Sequence, residues 1–211
     1  MKIICVARNY AAHAAEMGAK RDRQDSVYKG CPYFFLKPDS ALLQKGMPFF
    51  YPEFSNDVEY EAEIVVRIDK VGKSIEERFA YRYYHSVAFG IDMTARDLQS
   101  EAKAEGMPWT MSKGFDGSAV VSDFVDLAEL NRPVGDLHFT LARNGAVVQQ
   151  GHTAEMLCPV DRLISHVSRY MLLRTGDLLF TGTPAGVGAI AIGDVLTGTL
   201  EGREILTCKI K

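Results

Sequence analysis

The stretch Val-Glu-Tyr-Glu-Ala-Glu-Ile-Val-Val-Arg-Ile, from Val58 to Ile68, constrains this chain more than any other. Val58, Tyr60, Ala62, Ile64, Val66 and Ile68 fall on one face, and Glu59, Glu61, Glu63, Val65 and Arg67 on the other. Period-two alternation rich in β-branched and aromatic residues predicts a half-buried strand. The other face sets three carboxylates at successive i, i+2 positions, roughly 7 Å apart at the Cα, where like charges repel. Such a face either stays in water or holds a cation. Spacing alone leaves both open, the solvated face being the commoner arrangement.

The 211 residues suffice for one domain of good size, and no internal repeat, low-complexity tract or linker divides them. With 47% hydrophobic and 24% charged residues, the chain can bury a substantial core. A net charge of −3 gives no electrostatic argument for nucleic acid or an anionic membrane. Cys5, Cys31, Cys158 and Cys208 are scattered, with no Cys-x-x-Cys pair. That argues against a zinc knuckle and a disulfide framework and suits a reducing cytoplasm. The apolar run Ile3 to Ala7 is too short for a signal-peptide core, and no run approaches membrane-spanning length. The expectation is a cytoplasmic protein.

Short strands are predicted over Ile3 to Ala7 and Tyr33 to Lys37, with a helix between them from Asn9 to Met17 closed by Gly18. His13 and Glu16, at i, i+3, share a face of that helix. Residues 19 to 32 are polar and charged and read as a long loop, of the kind that serves as a lid. Ser74-Ile75-Glu76-Glu77 reads as a capping box opening a helix through about Tyr83. A buried strand over Val87 to Asp92 and a short helix from Asp97 to Gly106 follow. The second half is strand-rich: Leu137 to Arg143 and Ala146 to Gly151 flank Asn144-Gly145, the strongest short hairpin signal. One helix, Pro159 to Leu173, precedes strands at Asp177 to Thr181, Val195 to Leu200 and Glu204 to Lys209. The fold class is mostly β with a few helices.

Glu61 and Glu63 can aim at one point from one strand face, and hard divalent cations take such oxygen ligands. Asp92 ends an otherwise apolar run, so its carboxylate needs a partner, either a cation or Arg96. Lys113, among apolar residues and glycines, is a catalytic amine, an oxyanion partner or a surface residue. Thr181 to Gly188 is a glycine loop that resembles an anion cradle without Walker or Rossmann spacing, a plain turn being the commoner reading of such a loop. His85, His138, His152 and His166 fall in no metal-ligand spacing and are taken as structural.

Six segments occur in a telling order: Asn9-Tyr10 with His13 and Glu16, Phe35-Leu36-Lys37-Pro38, Tyr60-Glu61-Ala62-Glu63, Asp92 to Gln99, Pro108-Trp109-Thr110 with Lys113-Gly114-Phe115-Asp116, and Gly182 to Gly188. Together they resemble the fumarylacetoacetate hydrolase family, in its short branch of acylpyruvate hydrolases, oxaloacetate decarboxylases and hydroxyheptadienedioate isomerases. The resemblance implies a mixed β-roll in one catalytic domain, a homodimer, a small keto acid as substrate and a Mg²⁺ or Mn²⁺ site. By motif, Glu61, Glu63 and Asp92 would be the metal ligands. His13 and Glu16 would be the general-base pair on a lid at about residues 9–32. Lys113, Arg96, Gln99 and Thr183 would contact the keto acid, Lys113 also in a catalytic role. The implied reaction breaks a C–C bond through a metal-stabilised enolate. That intermediate also serves decarboxylation and isomerisation, so the sequence does not choose among them. Two rivals stand outside it: a metal-free lyase with a Schiff base at Lys113, and a ligand-binding protein without turnover. The charged stretch from Lys20 to Lys29 lies where a lid meets the variable end of a substrate, and the extra ligand drawn from a second domain in long family members has no counterpart here.

Overall fold

The computed structural model describes residues 1–16, 27–28 and 31–211. In chain order the strands and helices begin with β1 (Ile3–Val6), α1 (Ala11–Glu16), β2 (Val27–Tyr28), β3 (Cys31–Pro32) and β4 (Phe34–Lys37). Next come β5 (Val58–Tyr60), β6 (Ala62–Arg67), β7 (Ser86–Asp92), β8 (Thr94–Ala95), α2 (Arg96–Glu105), α3 (Thr110–Lys113), β9 (Ala119–Val121), β10 (Val125–Asp126) and α4 (Leu127–Leu130). The last third supplies β11 (His138–Arg143), β12 (Ala146–His152), α5 (Val160–Tyr170), β13 (Leu178–Phe180), β14 (Gly188–Ala189), β15 (Val195–Leu200) and β16 (Arg203–Lys209). The expected end of the first helix at Met17 and Gly18, and the charged stretch Lys20 to Lys29 apart from Val27 and Tyr28, lie outside the described residues. Within the expected loop, β2 and β3 pair antiparallel.

A seven-stranded sheet runs β10-β7-β6-β13-β1-β4, with β9 also paired to β7. It is mixed: β1 and β13 are parallel, while β4 lies antiparallel to β1 and β6 antiparallel to both β13 and β7. A four-stranded sheet, β12-β11-β15-β16, packs across it. Phe89 of the first sheet meets Phe139 of the second edge to face, ring centroids 6.1 Å apart. This approach depends on Gly198, where a Cβ would come within 2.5 Å of the Phe89 ring. Ile64, Val66, Leu141 and Ile164 fill the same core without exposure, each such aliphatic side chain contributing roughly 1.5–3 kcal/mol. Asn144 and Gly145 both hold positive φ (53° and 83°), as a two-residue hairpin requires.

Two expectations need correction. The stretch from Val58 does not run as one half-buried strand. It breaks at Glu61: β5 pairs with β8 and β14 in a separate three-stranded sheet, while β6 joins the large one. Both faces are buried, because Val65 packs with Ile3, Cys5, Ala88 and Phe180 in a second small core behind the sheet. The capping box at Ser74 also fails. Ser74 holds φ 51°, Glu77–Tyr83 forms a 3-10 helix, and no side chain caps it. Ile75 instead sinks into the core, with its N–H donating to Ser168 Oγ (2.9 Å), so tertiary packing overrides the local signal.

Candidate active site

The break at Glu61 assembles the acidic cluster. Glu61 stands at the junction of β5 and β6, Glu63 follows on β6, and Asp92 ends β7, with Glu63 opposite Gly90 in the ladder. The Asp92 N–H donates to the Glu61 carbonyl (2.8 Å), which locks the two strand ends together. Glu61, Glu63 and Asp92 are each under a tenth exposed, and one oxygen from each lies within 4.8 Å of the others. The solvated-face alternative therefore fails for Glu61 and Glu63. Glu59, outside the cluster and half-buried, instead forms a salt bridge with Arg96 Nε at 2.6 Å.

Buried carboxylates demand counter-charge, and three cations supply it. Lys113, 2% exposed, donates to Glu61 Oε2 (2.8 Å), Asp92 Oδ2 (2.9 Å) and Thr94 Oγ1 (2.5 Å). This overturns the surface alternative for Lys113. Burial lowers its pKa, but Asp92 and Glu61 outweigh that and leave the ammonium above its ordinary value. Arg96 reaches Glu61 Oε1 (2.6 Å) and Gln99 Oε1 (2.6 Å), and it does not pair with Asp92. Burial alone would raise the Glu61 carboxyl, yet Lys113 and Arg96 hold it below the usual carboxylate range. Glu63 goes the other way: burial, then Asp92 and Glu61, push it well up, against one backbone N–H from Gly182 (2.6 Å).

Asp92 takes its second cation from Lys37, a residue of the Phe35-Leu36-Lys37-Pro38 motif to which no role was assigned from sequence. Lys37 Nζ lies 2.7 Å from Asp92 Oδ1, yet out of line for a hydrogen bond, so that buried oxygen accepts none. Three buried carboxylates close together, one with an oxygen that accepts no hydrogen bond, make a hard-oxygen donor set of the kind Mg²⁺ and Mn²⁺ take. The residues fit a divalent cation.

His13, 5% exposed, lines the same cleft as Glu61, Asp92, Arg96, Lys113 and Thr183. Its Nδ1 lies 3.3 Å from Glu16 Oε2, and burial lowers its pKa, against the pull of Glu61 and Glu16. The glycine loop does cradle anions, but they are the protein's own. Gly182 N–H holds Glu63, and Gly186 N–H holds both Glu16 oxygens at 3.1 and 3.3 Å. Gly186 has φ 96°, and a Cβ there would meet the Val148 carbonyl at 2.5 Å, so only glycine brings this N–H to Glu16.

Gln149 carries no sequence signal for a role here. Buried on β12, it accepts from the Ala62 N–H (2.9 Å) between the two glutamates and donates to Thr183 Oγ1 (2.9 Å) and the Pro184 carbonyl (3.0 Å). It thereby ties the acidic segment to the glycine loop. Lys103 is exposed on α2, and its ammonium reaches Gln99 Oε1 at 2.8 Å at the rim of the cleft. Size does not locate this site. A cavity of about 870 Å³ opens elsewhere, lined by Leu42, Met47, Phe50 and Phe124, without the acidic cluster.

A family model described as fumarylacetoacetate (FAA) hydrolase C-terminal matches residues 2–211, and the chain belongs to that family of enzymes. It is 38% identical over 209 residues to the mitochondrial oxaloacetate tautomerase FAHD1 of Mus musculus, covering 99% of this chain and 91% of the relative. The mitochondrial oxaloacetate decarboxylase of Dictyostelium discoideum is 37% identical over 204 residues, 96% of this chain and 90% of the relative. Among solved structures, fumarylpyruvate hydrolase from Pseudomonas aeruginosa in complex with Mn²⁺ and pyruvate superposes with a TM-score of 0.90 at 34% identity. That match spans 100% of this chain and 89% of the other.

Proposed function

We propose that this chain is a divalent-metal-dependent enzyme that cleaves a C–C bond in a small α-keto acid of the acylpyruvate type. The observation that carries this is the acidic cluster of Glu61, Glu63 and Asp92, of which Glu61 and Asp92 share one cleft with His13, itself paired with Glu16. Mg²⁺ or Mn²⁺ on the three carboxylates would supply Lewis acidity at a keto oxygen. Glu16, fixed by the Gly186 N–H, orients the His13 ring through Nδ1. His13, neutral at neutral pH, takes a proton from water through its other nitrogen, and the resulting hydroxide attacks the distal carbonyl. Arg96, Gln99 and Thr183 bind the substrate carboxylate. Lys113 keeps positive charge beside the reacting oxygens. A lysine held above its ordinary pKa between two carboxylates is a poor amine nucleophile, which weighs against a Schiff base.

The second reading is oxaloacetate decarboxylation or isomerisation on the same residues, favoured by what the two curated relatives are named for. A Mg²⁺-supplemented panel of acylpyruvates, fumarylpyruvate, oxaloacetate and hydroxymuconate-type dioates separates the two. His13→Ala is expected to cut acylpyruvate hydrolysis by roughly 10²–10⁴-fold and any decarboxylation far less. Equal losses on both would remove His13 as water activator.

Residues 1–211 act, in this reading, as one catalytic domain that works as a homodimer. The exposed apolar side chains of Met1, Met47 and Phe50 in one groove support an interface there. Light scattering on the purified protein tests it. No described helix is long and apolar enough to cross a membrane, and the cytoplasm remains the compartment that cell fractionation should return.

A further inference from the structure

Cys31 and Cys158 stand 127 residues apart in sequence, yet their Sγ atoms are 2.6 Å apart. That is well inside ordinary contact between two sulfurs, though longer than a disulfide bond of about 2.05 Å. Scattered spacing argued against a disulfide framework, but the fold brings this one pair together. Both are enclosed, Cys31 at 3% exposure and Cys158 at 0%. Cys5 lies in the small second core and Cys208 in the main one, and neither has a thiol contact of this kind among the described residues.

Their place in the fold gives the pair a consequence. The Cys158 backbone is clasped by Asn9, which donates from Nδ2 to the Cys158 carbonyl (3.0 Å) and accepts the Cys158 N–H at Oδ1 (2.8 Å). Asn9 stands just before α1, which carries His13 and Glu16. Cys31 lies in the β2–β3 pair, where the chain returns after α1. A bond between the two sulfurs would fasten that return point to the spot where Asn9 fastens the start of α1.

We propose that Cys31 and Cys158 are a redox-reversible disulfide site, with hydrogen peroxide as oxidant. Cys31, the less enclosed thiol, attacks the peroxide: the O–O bond breaks, an S–O bond forms, and one water leaves. Cys158 then attacks the sulfenic sulfur. The S–S bond forms, the S–O bond breaks, and the hydroxyl leaves as a second water with the Cys158 proton. The two sulfurs give up two electrons in total and the peroxide takes them, while a dithiol reverses the change. Burial, and then the contact with Cys31, push the Cys158 thiol up, in keeping with its role as the second reactant. None of this depends on which reaction the acidic cluster performs.

The test uses the full chain, reduced with dithiothreitol or treated with hydrogen peroxide, then denatured and alkylated. Four thiols should titrate in the reduced protein and two after peroxide. Peptide mapping should find Cys31 and Cys158 in one cross-linked pair, two hydrogens lighter. The oxidised protein should melt several degrees higher than the reduced one. Peroxide should leave the melting of Cys31→Ser and Cys158→Ala unchanged. Should Cys158→Ala fail to fold, Cys31→Ser carries the comparison alone. Four thiols after peroxide, a cross-link involving Cys5 or Cys208, or Cys31 recovered only as an uncoupled sulfinic acid would overturn the proposal.

Discussion

Lys37 shows how much one enclosed charge can decide. Its side chain has no exposure, and its ammonium donates to the Met93 carbonyl (3.3 Å), the Lys113 carbonyl, and the Ser118 carbonyl (3.1 Å) and hydroxyl (3.0 Å), while facing Asp92. Removing one partner of a buried pair costs about 3–5 kcal/mol, because the other charge is left uncompensated. Lys37→Met is therefore expected to lower Tm by roughly 10 °C in calorimetry; a variant melting with the wild type would show that Lys113 alone satisfies Asp92. His13 makes a different prediction. Burial lowers its pKa, so the neutral, proton-accepting ring persists below the ordinary imidazole value near 6.5. Turnover should hold steady as pH falls to 6.5 and drop only below it, with the acid limb absent in His13→Gln. A limb rising above pH 6.5 in the wild type would contradict the neutral-base role.

At the scale of elements, the site depends on a strand that stops early. Alternation alone marks Val58 to Ile68 as one strand, since period two persists through Glu61. The break becomes visible only in three dimensions, where β8 and β14 claim β5 and Gln149 takes the Ala62 N–H. Gln149→Ala would leave that buried N–H unpaired, at a cost of about 1–3 kcal/mol. It would also free the glycine loop from the acidic segment. Titration calorimetry should then show Mn²⁺ affinity reduced by roughly tenfold, in line with other changes behind metal ligands. Unchanged affinity would mean that the ladder of β6 and β7 positions the carboxylates unaided. The capping box at Ser74 fails for a related reason. Its local signal is outweighed by Ile75 packing into the core and by the Ser168 hydroxyl waiting at its N–H.

For the molecule as a whole, what was legible in the sequence depended on range. Local signals read well: Asn144-Gly145 gives its hairpin, and Gly106, at φ 70°, ends α2 where expected. The order of motifs along the chain carried the family, and the fold brings Glu61, Asp92, His13, Lys113, Arg96 and Thr183 to one cleft, with Glu63 beside Glu61 and Asp92. Long-range partnerships had no sequence signature. Lys37 with Asp92, Gln149 with Ala62, and Cys31 with Cys158 join residues 55, 87 and 127 positions apart, and nothing at either end announces the other. Above all of these stands one claim: the buried acidic cluster is a working divalent-cation site for keto acid chemistry. Its most direct test is turnover of the best substrate in the panel by protein stripped with excess EDTA, before and after Mg²⁺ or Mn²⁺ is restored, with Glu63→Gln alongside. Turnover should vanish on stripping, return with the cation in the wild type, and fail to return in Glu63→Gln. Full turnover in excess EDTA would contradict the account at its centre.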